Sequence, residues 1–336
     1  MLNLEDRIGE FLVPHLKDFI FDELSESYLA KQGLTEIMSG VPIPLRKTEL
    51  NNITTLSIAL NMAFVIGCDP NFQYREKYIQ YILKAFDKRF AQGLVADGVD
   101  GAQKNDFDYA CIQFRAAMLI DPENIDALYC YGRACKDAYE LGEDEDFIGR
   151  FKAESLEAFE KVTLKKPDFA DAYYFLGYGY INLGLYVKAK LTWKEFIKLS
   201  NDEEKKKEIE ERLALLVEPV KIEEGYNLVL SGRFAEGIER LSAYTDGEYK
   251  DWWPLWYYLG TAYQGLEIPE KAVENYLKVL QLSPSNLEAM EELVRMYEVL
   301  GDAEKVEKYT KKIGVIKGNM ELDRLEKMKE KNINFS

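Results

Sequence analysis

The chain has 336 residues, of which 47% are hydrophobic and 30% are charged, and its formal net charge is −16. This balance is typical of a globular protein with two ordinary domains or one elongated repeat array. The negative charge argues against nucleic acid and against an anionic membrane as partners, because both are bound through clustered Lys and Arg. We therefore expect a protein or peptide partner with basic character.

The first residues of the chain and its most apolar stretch show no export or membrane signal. The first residues, MLNLEDRIGEFL, lack the basic and apolar regions of a signal peptide. The most apolar stretch, Ile53 to Cys68, contains polar residues and is shorter than the about 20 residues that span a bilayer. The four cysteines form no CxxC pair. These features predict a cytoplasmic protein with reduced cysteines in its core.

One count excludes much catalytic chemistry, because His15 is the only histidine. A histidine-based triad and a zinc site built from several histidines are therefore not expected. The chain also lacks a P-loop and a GxGxxG motif after a strand. We expect no enzyme, no cofactor and no metal, although carboxylate chemistry through Asp69 or Glu76 stays open as an alternative.

The first 90 residues show helical periodicity, which predicts an N-terminal helical bundle over 1–90. Its helices are expected at 3–12, 14–31, 48–67 and 72–90. Pro42 and Pro44 predict an extended segment between the second and third helices. The third helix is apolar nearly all round, so other elements should surround it.

Two later stretches, 170–200 and 253–284, align at a constant offset of 83 residues. The aligned pairs are Tyr173 and Trp256, Leu176 and Leu259, Gly177 and Gly260, Tyr180 and Tyr263, Ala189 and Ala272, and Trp193 and Tyr276. This pattern resembles the tetratricopeptide repeat, a helix-turn-helix unit of 34 residues.

The resemblance implies an all-α fold, a right-handed α-solenoid of about six tetratricopeptide-like helix pairs over 91–316. The six pairs are expected at 91–122, 125–167, 170–203, 218–249, 253–286 and 287–316. Asn124 and Asn286 are expected to cap first helices. A polar capping helix is expected at 318–332, with Leu322 and Leu325 on its inner face.

In tetratricopeptide proteins a concave groove is lined by fixed positions of each first helix. Carried over to this sequence, those positions give a candidate protein-binding groove of Tyr129, Arg133, Lys136, Tyr174, Tyr178, Asn182, Tyr226, Tyr257, Gln264 and Arg295. Tyrosine suits such a groove because its ring gives apolar contact while its hydroxyl can hydrogen-bond. The alternative, that these rings pack on adjacent repeats, stays open.

The resemblance and the missing chemistry predict a non-enzymatic scaffold that binds a protein or peptide. Residues 121–160 hold twelve Asp or Glu against four Lys or Arg, which is either a solvated face or an acidic pole for a basic partner. The layout is also similar to that of bacterial peptide-pheromone receptors. The alternative function is therefore a ligand-controlled regulator that acts on a partner protein rather than on DNA, since no basic helix-turn-helix is recognised in residues 1–90.

Overall fold

The computed structural model describes residues 6–48, 50 and 53–333. The chain divides into two compact units, Met1–Gly184 with Leu191–Lys207, and Leu185–Lys190 with Glu208–Ser336. The prediction of an all-α fold is confirmed, and a small two-stranded sheet is added to it within the described residues.

The N-terminal region of the first unit is less helical than its sequence predicts. Its elements in order are α1 (Gly9–Leu12), a 3-10 helix (Val13–Asp18), β1 (Phe19–Glu23), α2 (Glu26–Gln32), α3 (Thr35–Met38), β2 (Pro42–Arg46), α4 (Thr55–Cys68) and α5 (Arg75–Phe86). The single helix expected at 14–31 is therefore wrong, whereas the extended segment at Pro42 and Pro44 is confirmed.

The two strands pair antiparallel, with Phe19 opposite Arg46 and Glu23 opposite Pro42. Aromatic and β-branched residues such as Phe19 and Ile20 favour a strand once a partner strand is available. The paired residues are 19 to 27 positions apart in the chain, and local periodicity carries no information about such a partner. This long-range pairing is the physical reason that the helical prediction fails here.

Helix α4 forms the centre of the N-terminal core. Its residues from Ile58 to Cys68 are buried, with Leu60 as the exception. The helix begins with a reciprocal capping pair in which Thr54 accepts from the backbone of Ser57. It packs against β2 and α5, so the prediction of a surrounded helix is confirmed. Within the described part of the chain, no helix has both the length and the apolar character needed to cross a membrane.

Two helices lie on each of the six predicted repeat segments, and the last helix continues beyond residue 316. They are α6 (Phe90–Gln103) and α7 (Phe107–Ile120), α8 (Ile125–Leu141) and α9 (Glu145–Lys165), α10 (Ala170–Asn182) and α11 (Tyr186–Leu199), α13 (Val217–Leu230) and α14 (Phe234–Ser242), α15 (Trp253–Gly265) and α16 (Pro269–Leu282), and α17 (Leu287–Leu300) and α18 (Ala303–Ile333). The charged helix α12 (Glu203–Leu215) lies before the fourth pair. Asn124 and Asn286 cap α8 and α17 as predicted.

A glycine of the first helix lies against an aromatic ring of the second helix in four of these pairs. The contacts are Gly98 with Phe114, Gly132 with Phe159, Gly177 with Trp193, and Gly260 with Tyr276. A Cβ added to Gly260 would lie 2.7 Å from Cε1 of Tyr276, inside van der Waals contact. The glycine therefore sets how closely the two helices approach, as the repeat pattern predicts.

The end of the chain departs from the prediction. The helix expected at 318–332 is the continuation of α18, which runs without a break from Ala303 to Ile333. Leu322 and Leu325 are 60% and 44% exposed and do not form an inner face. Gly318 neither adopts a left-handed conformation nor meets a following proline, so nothing at this position ends the helix.

Candidate functional site

Six of the ten predicted groove residues lie on α8 and α10 of the first unit. On α8, Tyr129, Arg133 and Lys136 follow at spacings of four and three residues, which places them on one helix face. On α10, Tyr174 and Tyr178 are four residues apart. On both helices, residues at the template's groove positions therefore share one helix face.

Phe175 of α10 is the centre of this group. The Arg133 guanidinium carbon lies 4.5 Å from the centre of the Phe175 ring, and the Lys136 ammonium lies 6.0 Å from it. The ring itself is held by a stacked contact with Phe159 of α9, at 5.4 Å between centroids. A cation over an aromatic face contributes about 0.5–1 kcal/mol at a partly exposed site. The structure therefore joins residues of two repeats around one ring.

Tyr129 fills the other side of this aromatic group. Its ring lies 4.8 Å from that of Phe169 and 6.3 Å from that of Phe175. Burial raises the pKa of Tyr129, against an opposing hydrogen bond with Arg133. Burial lowers the pKa of Arg133, but its hydrogen bond to Tyr129 and nearby negative groups more than compensate and raise the pKa overall. The two side chains are thereby held as a neutral phenol and a fixed cation.

Tyr174 and Tyr178 form a second aromatic row on α10. Their ring centroids are 5.2 Å apart, and Tyr174 lies 5.3 Å from Phe196 while Tyr178 lies 5.0 Å from Trp193. The Trp193 indole donates a hydrogen bond of 3.1 Å to the Tyr174 carbonyl. Both tyrosines are partly buried rather than free, so each combines a packing role with an accessible edge.

A lysine outside the repeat template adds another cation to this row. The Lys205 ammonium of α12 lies 5.3 Å from the Tyr174 ring and 2.9 Å from a carboxylate oxygen of Asp171. The sequence gives no sign of this contact, because Lys205 belongs to the helix that is inserted between repeats. Beside the Tyr174 ring the structure therefore places an ion pair, formed by Lys205 and Asp171.

A pocket of about 330 Å3 opens between α8, α9 and α10. It shares Lys136, Phe175 and Tyr178 with the predicted groove, and it adds Tyr139 and Lys152. The last two were missed because α8 and α9 continue beyond the length of the repeat template.

Asn182, the remaining predicted residue of α10, does not join the group at Phe175. It makes a side-chain hydrogen bond with Tyr139 of α8, which opposes the rise in the Tyr139 pKa that burial causes. Asn182 thus holds a residue that lines the pocket.

The prediction that Tyr226 lines a groove is contradicted in the second unit. Only 9% of Tyr226 is exposed, and its ring stacks on that of Tyr258 at 4.2 Å between centroids. Trp252 lies 5.9 Å away on another side. Among the described residues its buried hydroxyl has no hydrogen-bond partner. Tyr226 is a core residue because rings of the next repeat cover it.

The other three predicted residues of the second unit are linked through Glu292 and Tyr276. The Gln264 amide donates to Glu292 at 3.0 Å and its carbonyl accepts from the Tyr276 hydroxyl at 2.7 Å. Arg295 donates to the same Glu292 at 2.6 Å. Burial, followed by the negative charge of Glu292, raises the pKa of Tyr257 to about 12. These polar groups mainly satisfy one another.

At least seven of the twelve acidic residues of 121–160 form ion pairs within the first unit. Arg7 forms ion pairs with Glu154 and Glu157, and Arg150 pairs with Asp146 at 3.0 Å. Salt bridges of this kind reduce the local negative field. The acidic pole for a basic partner accordingly stays a prediction.

Residues 6–48, 50 and 53–333 contain no group of three or more His, Cys, Asp or Glu arranged to hold a metal ion. His15, the only histidine, lies at the surface with its Nε2 3.3 Å from a carboxylate oxygen of Asp108.

No protein-family model and no curated protein matches the chain. Among solved structures, it is similar to the MamA protein at 18% identity, with 68% of this chain and 93% of that chain covered and a TM-score of 0.29. It is also similar to the P58(IPK) TPR domain, at 14% identity, 91% and 88% coverage and a TM-score of 0.45. For YrrB, a TPR protein, the identity is 17%, the coverage 63% and 96%, and the TM-score 0.31.

These similarities are distant, and all three TM-scores lie below 0.5. The assignment of the repeat therefore rests on the helix pairs and on the glycine and aromatic contacts inside them. In both respects the chain is tetratricopeptide-like.

Proposed function

We propose that the protein is a non-enzymatic scaffold that binds a peptide or another protein on the surface of α8 and α10. The observation that carries this proposal is the group of Tyr129, Arg133, Lys136 and Tyr174 around Phe175. The template names these four positions separately, and the fold brings them to one ring.

The chemistry of this group is that of a protein interface. Tyr and Arg are the residue types that most often dominate binding energy, because they combine apolar contact with hydrogen bonding. Arg133 has its charge near the Phe175 ring, where it can meet a carboxylate, whereas the charge of Lys136 is shared with Glu140 and Asp137. At this surface an acidic segment is therefore favoured, in contrast to the basic partner that the net charge suggests.

The proposal does not extend to the second unit, where Tyr226 is covered and where Gln264 and Arg295 are engaged by Glu292. No contact among the described residues favours the regulator hypothesis, and we do not propose it.

The test is affinity purification with the full chain as bait in an extract of its native cell. The variant Tyr174→Ala combined with Arg133→Ala should lower recovery of a specific partner at least about tenfold, as expected for loss of two central contacts. Tyr173→Ala removes a neighbouring tyrosine on α10, whose hydroxyl donates to the Pro167 carbonyl, and should leave recovery unchanged.

Circular dichroism must show equal helical content in all the variants. Unchanged recovery with the double variant, at retained helical content, would remove the basis for a binding surface on α8 and α10.

A further inference from the structure

The pocket between α8, α9 and α10 has the features of a small-molecule site. Its volume of about 330 Å3 lies in the range of about 300–1,000 Å3 that ligand pockets occupy. Its walls are mainly apolar, and they include Leu156, Phe159, Phe175 and Leu183. A ligand that fills it must therefore bury an apolar body.

The charge in the wall is of one sign only. The lining residues include Lys136 and Lys152 and no Asp or Glu. This is unexpected, because residues 121–160, which supply both lysines, hold twelve acidic residues against four basic ones. The acidic side chains of this segment are thus kept out of the pocket.

The two lysines differ in their ion pairs. The Lys136 ammonium lies 2.6 Å from Glu140 and 3.6 Å from Asp137, so its charge is already compensated. Lys152 takes part in no ion pair within the part of the chain that the structure describes, and its ammonium lies 5.5 Å from the Tyr139 ring. One uncompensated positive charge therefore remains beside an apolar cavity.

We propose that this pocket binds a small amphipathic monocarboxylate, with its apolar chain or ring between α9 and α10 and its carboxylate at Lys152. A carboxylate forms a charge-assisted hydrogen bond with an ammonium, stronger than a neutral one. A single uncompensated lysine matches a single negative charge better than a doubly charged phosphate. This site goes beyond the proposed protein-binding surface and does not depend on it.

The probe is octanoate, titrated into the full-length protein by isothermal calorimetry. A ligand with about ten heavy atoms should bind with a Kd of roughly 0.1–1 mM. Octanamide, its neutral isostere, should bind at least about fivefold more weakly, since it lacks the charge that Lys152 compensates. Lys152→Gln should remove this preference for octanoate, and Lys152→Arg should retain it.

A second variant adds a bulky side chain at the pocket wall, at a glycine that has open space around it. Gly149 of α9 lies in the pocket wall, and a Cβ added there meets no heavy atom within 4 Å. Gly149→Leu should abolish octanoate binding while it improves helix propensity. Gly93→Leu on α6 is the matched control, because Gly93 is also exposed with open space around it. It should leave the Kd unchanged.

The proposal is overturned if octanoate does not bind, if octanamide binds equally well, or if Gly149→Leu leaves binding intact. If the pocket accepts only a side chain of a bound peptide, octanoate will not bind. Tyr174 and Arg133 do not line the pocket, so their double variant should keep its octanoate affinity. Loss of partner recovery and loss of octanoate binding can therefore be told apart.

Discussion

Tyr178 of α10 and Tyr226 of α13 hold equivalent positions in two repeats, and the structure gives them different roles. Tyr178 is partly buried, lies on Trp193 and lines a pocket. Tyr226 is buried against Tyr258. The position in the repeat sets the direction of the side chain, whereas the neighbouring repeat decides whether that side chain stays accessible.

The largest expected effect tests this difference directly. Tyr226→Ala removes a fully packed ring and should lower the free energy of unfolding by about 3–4 kcal/mol, in the range for an aromatic residue lost from a core. Tyr178→Ala should cost about 1–2 kcal/mol, because one side of its ring faces the pocket. Chemical denaturation followed by circular dichroism measures both values.

Tyr226→Phe is the matched control for the hydroxyl. It keeps the ring and removes a buried oxygen that has no hydrogen-bond partner among the described residues, so stability should be unchanged or raised by up to about 1 kcal/mol. A Tyr226→Ala variant no less stable than Tyr178→Ala would show that Tyr226 is accessible after all.

The repeat architecture could be predicted because its signals are local. The spacing of Gly177 and Trp193 within one helix pair, repeated at Gly260 and Tyr276, reports a close approach that only glycine permits. Strand β1 could not be predicted in this way. Its partner β2 lies beyond the reach of periodicity, and so the stretch at 14–31 reads as a helix.

In the candidate site, too, only some of the residues could be predicted from the sequence. The positions of Tyr129, Arg133 and Lys136 follow from the groove positions that the resemblance to the tetratricopeptide repeat implies, and the three side chains lie around one ring. Their common centre, Phe175, was not among the predicted binding residues, and Lys205 comes from a helix outside the template. Contacts between repeats depend on how one helix pair packs on the next, and a single-repeat pattern does not encode that packing.

A smaller loss of stability is expected for a substitution at Gln264, a predicted binding residue whose side chain is hydrogen-bonded inside the second unit. Gln264→Leu keeps the size of the side chain but leaves the Tyr276 hydroxyl and Glu292 without the amide between them. The expected loss of stability is about 1–2 kcal/mol, the net contribution of the two lost hydrogen bonds, since Tyr276 still contacts Thr261 and Glu292 still accepts from Arg295. The measurement is the denaturation midpoint at constant slope.

Lys136→Leu is the counterpart in the first unit. It breaks a pair with the half-exposed Glu140 and replaces a cation 6.0 Å from the Phe175 ring by an apolar side chain at the same place, so stability should change by less than about 0.5 kcal/mol. Equal losses for the two variants would mean that Gln264 is no more structural than Lys136.

The smallest expected difference in stability is between the variants of two predicted binding residues, Arg295 and Arg133. Arg295 is 61% exposed and pairs with Glu292, so Arg295→Ala should cost about 0.5 kcal/mol or less. Salt near 1 M, where the Debye length is about 3 Å, should weaken that effect further. Arg133→Ala should cost about 1 kcal/mol at either salt concentration, because its contact with the Phe175 ring is partly buried and depends little on screening. The measurement is denaturation of both variants at low and high salt. The prediction is wrong if the loss of stability depends on salt for Arg133→Ala and not for Arg295→Ala. Arg133 would then be an ordinary surface charge, and the group around Phe175 would lose the fixed cation on which the proposed binding of a carboxylate depends.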